Sequence, residues 1–164
     1  ASRSTDEEFA EMEVSAARLD DSDQSDGAET LRKQVSRHRD YLIANNARTH
    51  VRWAWHDFFQ EYDALIAPIM ATPAFEHDHR RFGERTLQVD GEERSYWEQV
   101  FWAGLAIHSY LPSTVFPTGP GEDGLPIGLQ IIGPQYGDLI TIDLAGHLEA
   151  AGFAFQAPQG YGDA

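Results

Sequence analysis

His77, Asp78 and His79 set two imidazoles beside a carboxylate, the ligand types that hold zinc or iron. Two histidines one residue apart do not share a helix face as an i, i+4 pair would, so only a strand or loop could present both; Glu76 adds a generic acid. A polar loop whose histidines bond to backbone explains the triplet more simply. No metal is expected there, and a metal-dependent hydrolase at His77 and His79 stands as the weaker alternative. His56 and Asp57, with one of nine serines, supply the residue types of a hydrolase triad, whose members converge in space rather than in sequence. No serine sits in a Gly-x-Ser-x-Gly elbow, and the only serine with a glycine two residues away is Ser25, inside an acidic stretch. Gly119, Pro120, Gly121 and Gly124 imitate a phosphate loop, but Glu122 and Asp123 repel phosphate and the segment leads into a strand, so it reads as a connection. Lys33, the only lysine, carries no motif that marks a catalytic base. Trp53, Trp55, Trp97 and Trp102 fall at helical spacing and are read as core, not as a base-stacking platform.

The charge balance narrows the partners. Twenty-seven acids against twelve bases give −15 over 164 residues, so a phosphate-binding or lipid-binding footprint is missing and neither nucleic acid nor membrane is expected as a partner. With no cysteine, a disulfide framework, thiolate zinc sites and a cysteine nucleophile are excluded, and a cytoplasmic setting fits best. No apolar run approaches the roughly 20 residues of a membrane span, and Ala1 to Asp6 lacks the basic and apolar regions of a signal peptide. Residues 1–29 read as an acidic arm or linker, with a short amphipathic helix around Phe9, Met12, Val14 and Ala16, and residues 30–164 as the main domain.

Those residues must be positioned by elements that the spacing also gives. Asp26 and Glu29 form a capping-box pattern that predicts one long helix to about Tyr62, with Ala47, Val51, Ala54, Trp55, Phe58 and Tyr62 as its buried stripe and Arg48, Arg52 and Asp57 facing solvent or partners. Ala64 to Met70 predicts an interior strand of a larger sheet, buried on both faces and weakened at Pro68. Residues 71–94 read as a long loop with an Asp90-Gly91 turn, followed by a helix from Ser95 to about Tyr110. Ser113 to Phe116 and Ile127 to Ile132 read as strands flanking a wide loop, and Asp138 caps a last helix closed by Gly152. The order is α/β without internal repeat.

Tyr62, Asp63, Ala64, Leu65, Ile66, Ala67, Pro68, then Thr72 and Pro73, resembles the tyrosine-aspartate, apolar strand, proline pattern in the C-terminal half of amidase signature enzymes. The run from Pro112 to Gly119, then Gly124-Leu-Pro-Ile-Gly-Leu-Gln-Ile-Ile-Gly-Pro134 and Gly137-Asp138, is similar to that family's C-terminal signature almost residue for residue. The resemblance covers about residues 30–152; Ile107 and Tyr110 stand where the family often has asparagine and glycine. It implies helices packed on a mixed sheet, a partial, C-terminal piece of the amidase signature fold. It also implies hydrolysis of a linear carboxylic amide through a serine acyl-enzyme, with a second serine and a lysine relaying the proton. The family's catalytic serines and lysine lie ahead of the matched segment, so no catalytic residue is carried onto this chain and its isolated activity is expected to be nil. No cofactor is implied. The implied partners are a missing N-terminal catalytic portion and a small-molecule amide, and a homo-oligomer is compatible with the sequence. Strand ends gather ligands in open α/β folds, so Met70 and Phe75, on the segment leaving the Ala64 to Met70 strand, and Trp102 on the following helix are expected to line an acyl pocket. The rival from another class is a noncatalytic acidic binding module reusing the fold.

Overall fold

The computed structural model describes residues 4–157. They divide into two compact units, one through Ala47 and one from Arg48.

In the first unit, helix α1 (Asp6–Ala17) opens with a complete capping box: the Thr5 hydroxyl accepts from the Glu8 amide, and the Glu8 carboxylate accepts from the Thr5 amide at 2.8 Å. Helix α2 (Asp26–Gln34) is capped by Ser25, one residue ahead of the expected Asp26, because the Ser25 hydroxyl accepts from the Ala28 amide. The acidic turn between them is held by Arg32, whose guanidinium donates to the backbone carbonyls of Asp23 at 2.7 Å and Asp20 at 2.8 Å. The single long helix is two helices. The Ser36 hydroxyl turns back onto the Lys33 carbonyl and the Asp40 carboxylate accepts from the Arg37 amide, so α2 closes and a new helix, α3 (His38–Phe58), begins.

The second unit is built on a three-stranded sheet in the order β1 (Leu65–Pro68), β5 (Pro126–Ile132), β4 (Ser113–Pro120). All pairings in it are antiparallel, as is the separate hairpin of β2 (Thr86–Val89) and β3 (Glu92–Ser95), so the expected mixed sheet is an antiparallel one here. The α/β arrangement stands, with a helix on each face of the sheet. On one face Gln130 reaches the backbone of α4 (Val100–Ser109); on the other Thr114 meets Thr141 of α5 (Asp138–Ala150) through hydroxyls 2.8 Å apart. The alternation of β5 therefore buries Ile131 beneath α5 and turns Gly128, Gln130 and Ile132 toward α4.

Several expectations are corrected. Among the described residues β1 pairs with β5 alone, so within this chain it lies at the edge of the sheet, and Ile66 is exposed rather than buried. β4 continues to Pro120 through an irregularity between Pro117 and Gly119, so the wide loop shrinks to a short β4–β5 connection. Within the supposed long loop, Asp90 and Gly91 take φ of 53° and 79°, the left-handed pair of a tight hairpin turn, and close β2 on β3. The last helix is capped by Gly137, not by the Asp138 side chain, and Gly152 follows it at φ 109°. On α3 no residue is buried; Trp55 and Phe58 are half-buried while Ala47, Val51, Ala54 and Tyr62 are exposed. The packed side is rotated toward the arginines, because Arg48 and Arg52 lie over the Tyr110 ring at 4.5 and 5.4 Å from its centroid. Trp53 and Trp97 are likewise exposed rather than core.

Candidate functional site

The chain leaves β1 through Ile69 and Met70 into Thr72 and Pro73, then crosses to the β2–β3 hairpin, and between these segments lies an open depression of about 870 Å³. Thr72, Phe75, Glu76, His77, Asp78 and Leu87 are among the residues that line it. Phe75, which lines it, is backed by a ladder of rings outside the depression: Phe75 meets Tyr96 edge-on at 5.8 Å, Tyr96 meets Phe82 at 5.5 Å, and Phe82 meets Trp97 at 5.6 Å. Asp78 is committed to Arg80, which donates to it from Nη2 at 2.7 Å, from Nε, and from its backbone amide at 2.9 Å. The Arg80 side chain first, and its amide second, hold the Asp78 carboxyl below the usual carboxylate value, against the smaller opposing effect of burial. Arg80 also donates to the Thr86 hydroxyl, tying the loop to β2. The rings of His77 and His79 stand 6.2 Å apart and edge-on, and no cluster of three metal-ligating groups occurs among the described residues.

Where this loop departs from β1, the strand end is tied to α4 and β4 by Gln130. Its side chain is 3% exposed, and every polar atom has a partner: Nε2 donates to the carbonyls of Pro68 and Trp102, each at 2.8 Å, and Oε1 accepts from the Ser113 hydroxyl at 3.0 Å. One amide thus joins the exit of β1, the body of α4 and the start of β4. Gly128, two residues earlier on the same face, lies where an added Cβ would come within 3.1 Å of the Phe116 carbonyl.

Of the three residues expected in an acyl pocket, Phe75 lines the 870 Å³ depression. Trp102 is half-buried and lines a different depression of about 520 Å³ with Ala71, Val89 and Phe101. Met70 is half-buried just past β1 and lines neither of these. Neither of these two depressions holds all three residues. His56 does share a small cavity with a serine, Ser109, but Ser109 Oγ has no hydrogen-bond partner, so no dyad joins them. Lys33 is ion-paired with Glu29 at 2.7 Å on an exposed face of α2.

The family model for Amidase matches residues 17–141. The chain belongs to the amidase family. Among its curated relatives, a glutamyl-tRNA(Gln) amidotransferase subunit of Halothermothrix orenii is 34% identical over 111 residues, covering 68% of this chain and 21% of that protein. The same amidotransferase subunit of Exiguobacterium sp. is 31% identical over 119 residues, covering 73% of this chain and 23% of the relative. This amidase-family chain thus spans about a fifth of the length of the curated relatives it matches. Among solved structures, one from a vestigial protein complex tied to the origins of an s-triazine catabolic enzyme superposes with a TM-score of 0.65 at 21% identity, over 92% of this chain and 32% of that one. A bacterial aryl acylamidase of the amidase signature family gives 0.58 at 24% identity, over 91% and 32%. These neighbours show that the fold is the amidase signature fold.

Sequence reasoning missed Gln130 and the role of Arg52. A readable signal existed for the first: in Ile127-Gly-Leu-Gln-Ile131 the alternation places a polar residue on a buried face, which requires partners. For Arg52 there was none, because its place opposite Tyr110 depends on where α4 ends.

Proposed function

We propose that this amidase-family chain supplies sheet strands and one wall of the substrate pocket to a hydrolase of linear carboxylic amides, with the nucleophile and its base contributed by a portion outside these residues. The observation that carries the reading is the uncovered apolar surface on both helix layers: on α4 Phe101 is 61% and Ile107 75% exposed, and on α5 Leu139 is 80% and Ile142 56% exposed. Such faces fit a segment that packs against the remainder of a larger fold, as its relatives' much greater length suggests. The Phe75 depression, whose volume falls within the roughly 300–1,000 Å³ of small-molecule sites, is the part of the pocket assigned to this chain. Met70 and Trp102 remain candidate acyl-pocket residues beside it, Trp102 from the neighbouring depression of about 520 Å³. The substrate is a small linear amide, the setting is cytoplasmic, and a net charge of −15 leaves no broad surface for nucleic acid. No helix among the described residues is long and apolar enough to cross a membrane.

The test compares the purified chain with the complete enzyme on aliphatic and aromatic amides. The chain alone is expected to show no hydrolysis, while the complete enzyme turns over and changes its acyl-size selectivity on Phe75→Ala. Turnover by the chain alone, surviving Lys33→Ala and repeated purification, would overturn the reading.

A further inference from the structure

The small cavity that holds His56 and Ser109 measures about 230 Å³ and is bounded by α3, the end of α4 and the turn after β5. Its polar lining comes from Arg52, His56, Gln60, Ser109 and Gln135, with Phe59 and Leu111 as apolar walls. No carboxylate of the described residues lines it, in a chain with 27 acidic residues. Two of its donors are unspent. Ser109 is 1% exposed and its hydroxyl bonds to nothing described, and the buried Nε of Arg52 is likewise without a partner. The rest of the Arg52 guanidinium is fixed, with Nη2 donating to Gln135 Oε1 at 3.0 Å and the group lying over Tyr110. A buried guanidinium N–H and a buried hydroxyl left unpaired each carry a desolvation cost that a matching acceptor would remove. The C-terminal end of α4 would ordinarily repel an anion, but the Tyr110 amide caps the Ile107 carbonyl at 3.3 Å and the Leu111 amide caps Ala106 at 3.0 Å. Tyr110 makes that closure at φ 58°, a left-handed position that glycine ordinarily fills, and in doing so places its ring against Arg52.

We propose that this cavity is a binding site for a small oxyanion, a carboxylate or phosphate group received by Arg52 and Ser109. The volume admits an ion of that size and excludes a peptide. An adjoining depression of about 370 Å³ shares Arg52, His56 and Gln135 and provides the approach. The site stands independently of the amidase activity.

The experiment is a titration of the isotopically labelled 164-residue chain with sodium acetate and, separately, with inorganic phosphate, each against chloride at matched ionic strength. Saturable shifts of the Ser109, Leu111 and Gln135 amides are expected with at least one anion, and the one that saturates at lower concentration identifies the source chemistry. Ser109→Ala is expected to weaken that binding about tenfold, as loss of a charge-assisted hydrogen bond does. The same variant should leave the thermal midpoint in chloride unchanged or raised, because it deletes an unpaired buried hydroxyl. Shifts no different from those with chloride would overturn the proposal, as would a Ser109→Ala chain that binds as tightly as the parent or that loses stability in chloride.

Discussion

Replacing Gln130 by leucine preserves the side chain's approximate volume while deleting all its hydrogen bonds, so the variant isolates the polar junction from packing. Three groups lose their partner: the Pro68 carbonyl, the Trp102 carbonyl and the Ser113 hydroxyl. Pro68 and Trp102 are half-buried and Ser113 is exposed, so water recovers part of the loss. With about 0.5–1.5 kcal/mol per net hydrogen bond, the three sum to about 1.5–4.5 kcal/mol. That is a large share of the roughly 5–15 kcal/mol of a typical domain. Urea unfolding followed by tryptophan fluorescence reads it as a lower midpoint at unchanged slope. Gln130→Glu sharpens the test. A carboxylate there would face two carbonyl oxygens, so the glutamate variant should be the less stable of the two at pH 7 and recover as acid protonates it and restores one donor. A Gln130→Leu loss below about 1 kcal/mol would refute the claim that this amide holds the sheet, α4 and the β1 exit together.

Gly133→Ala would bring a Cβ to 2.5 Å from the methyl of Thr141, the buried residue of α5 at 1% exposure, so a loss of about 1–3 kcal/mol in chemical denaturation is expected. The Asp78 carboxyl is held below its ordinary value in the folded chain, so its contribution is complete above the unfolded value of about 3.9 and is lost as pH falls through the lower folded one. Thermal midpoints of the parent and Asp78→Asn should therefore differ at neutral pH and converge toward pH 3. Phe75 is 39% exposed, so Phe75→Ala should lower stability by much less than the roughly 3–5 kcal/mol of a core aromatic truncation. A core-sized loss in the denaturation curve would show that Phe75 supports the fold rather than a pocket.

The strand pair was legible because β5 alternates cleanly around Gly128, and the Asp90-Gly91 dipeptide marked a turn whose two strands are too short to announce themselves, the second of them polar, with Glu92 to Arg94 exposed. The break between α2 and α3 escaped because it contains neither glycine nor proline; it is made by side-chain bonds from Ser36 and to Asp40 that compete with the helix. The face of α3 was misjudged for a different reason. Periodicity finds the apolar stripe, but in this chain the second half of α3 is packed through arginines over an aromatic ring, while Trp53 is 60% exposed. β1 read as interior because its composition is apolar, and composition does not say how many neighbours a strand has. For the site, motif order pointed to the family and to the loop carrying Phe75, but which side chains share a cavity depends on the hairpin and on the Gln130 junction.

The central claim, that this amidase-family chain shapes the fold and pocket without holding the nucleophile, is tested most directly by exposing the purified chain to a serine-acylating fluorophosphonate and weighing it intact. An unmodified chain mass is expected under conditions where the complete enzyme takes up one equivalent. A stoichiometric adduct mapped to any serine of this chain would contradict it.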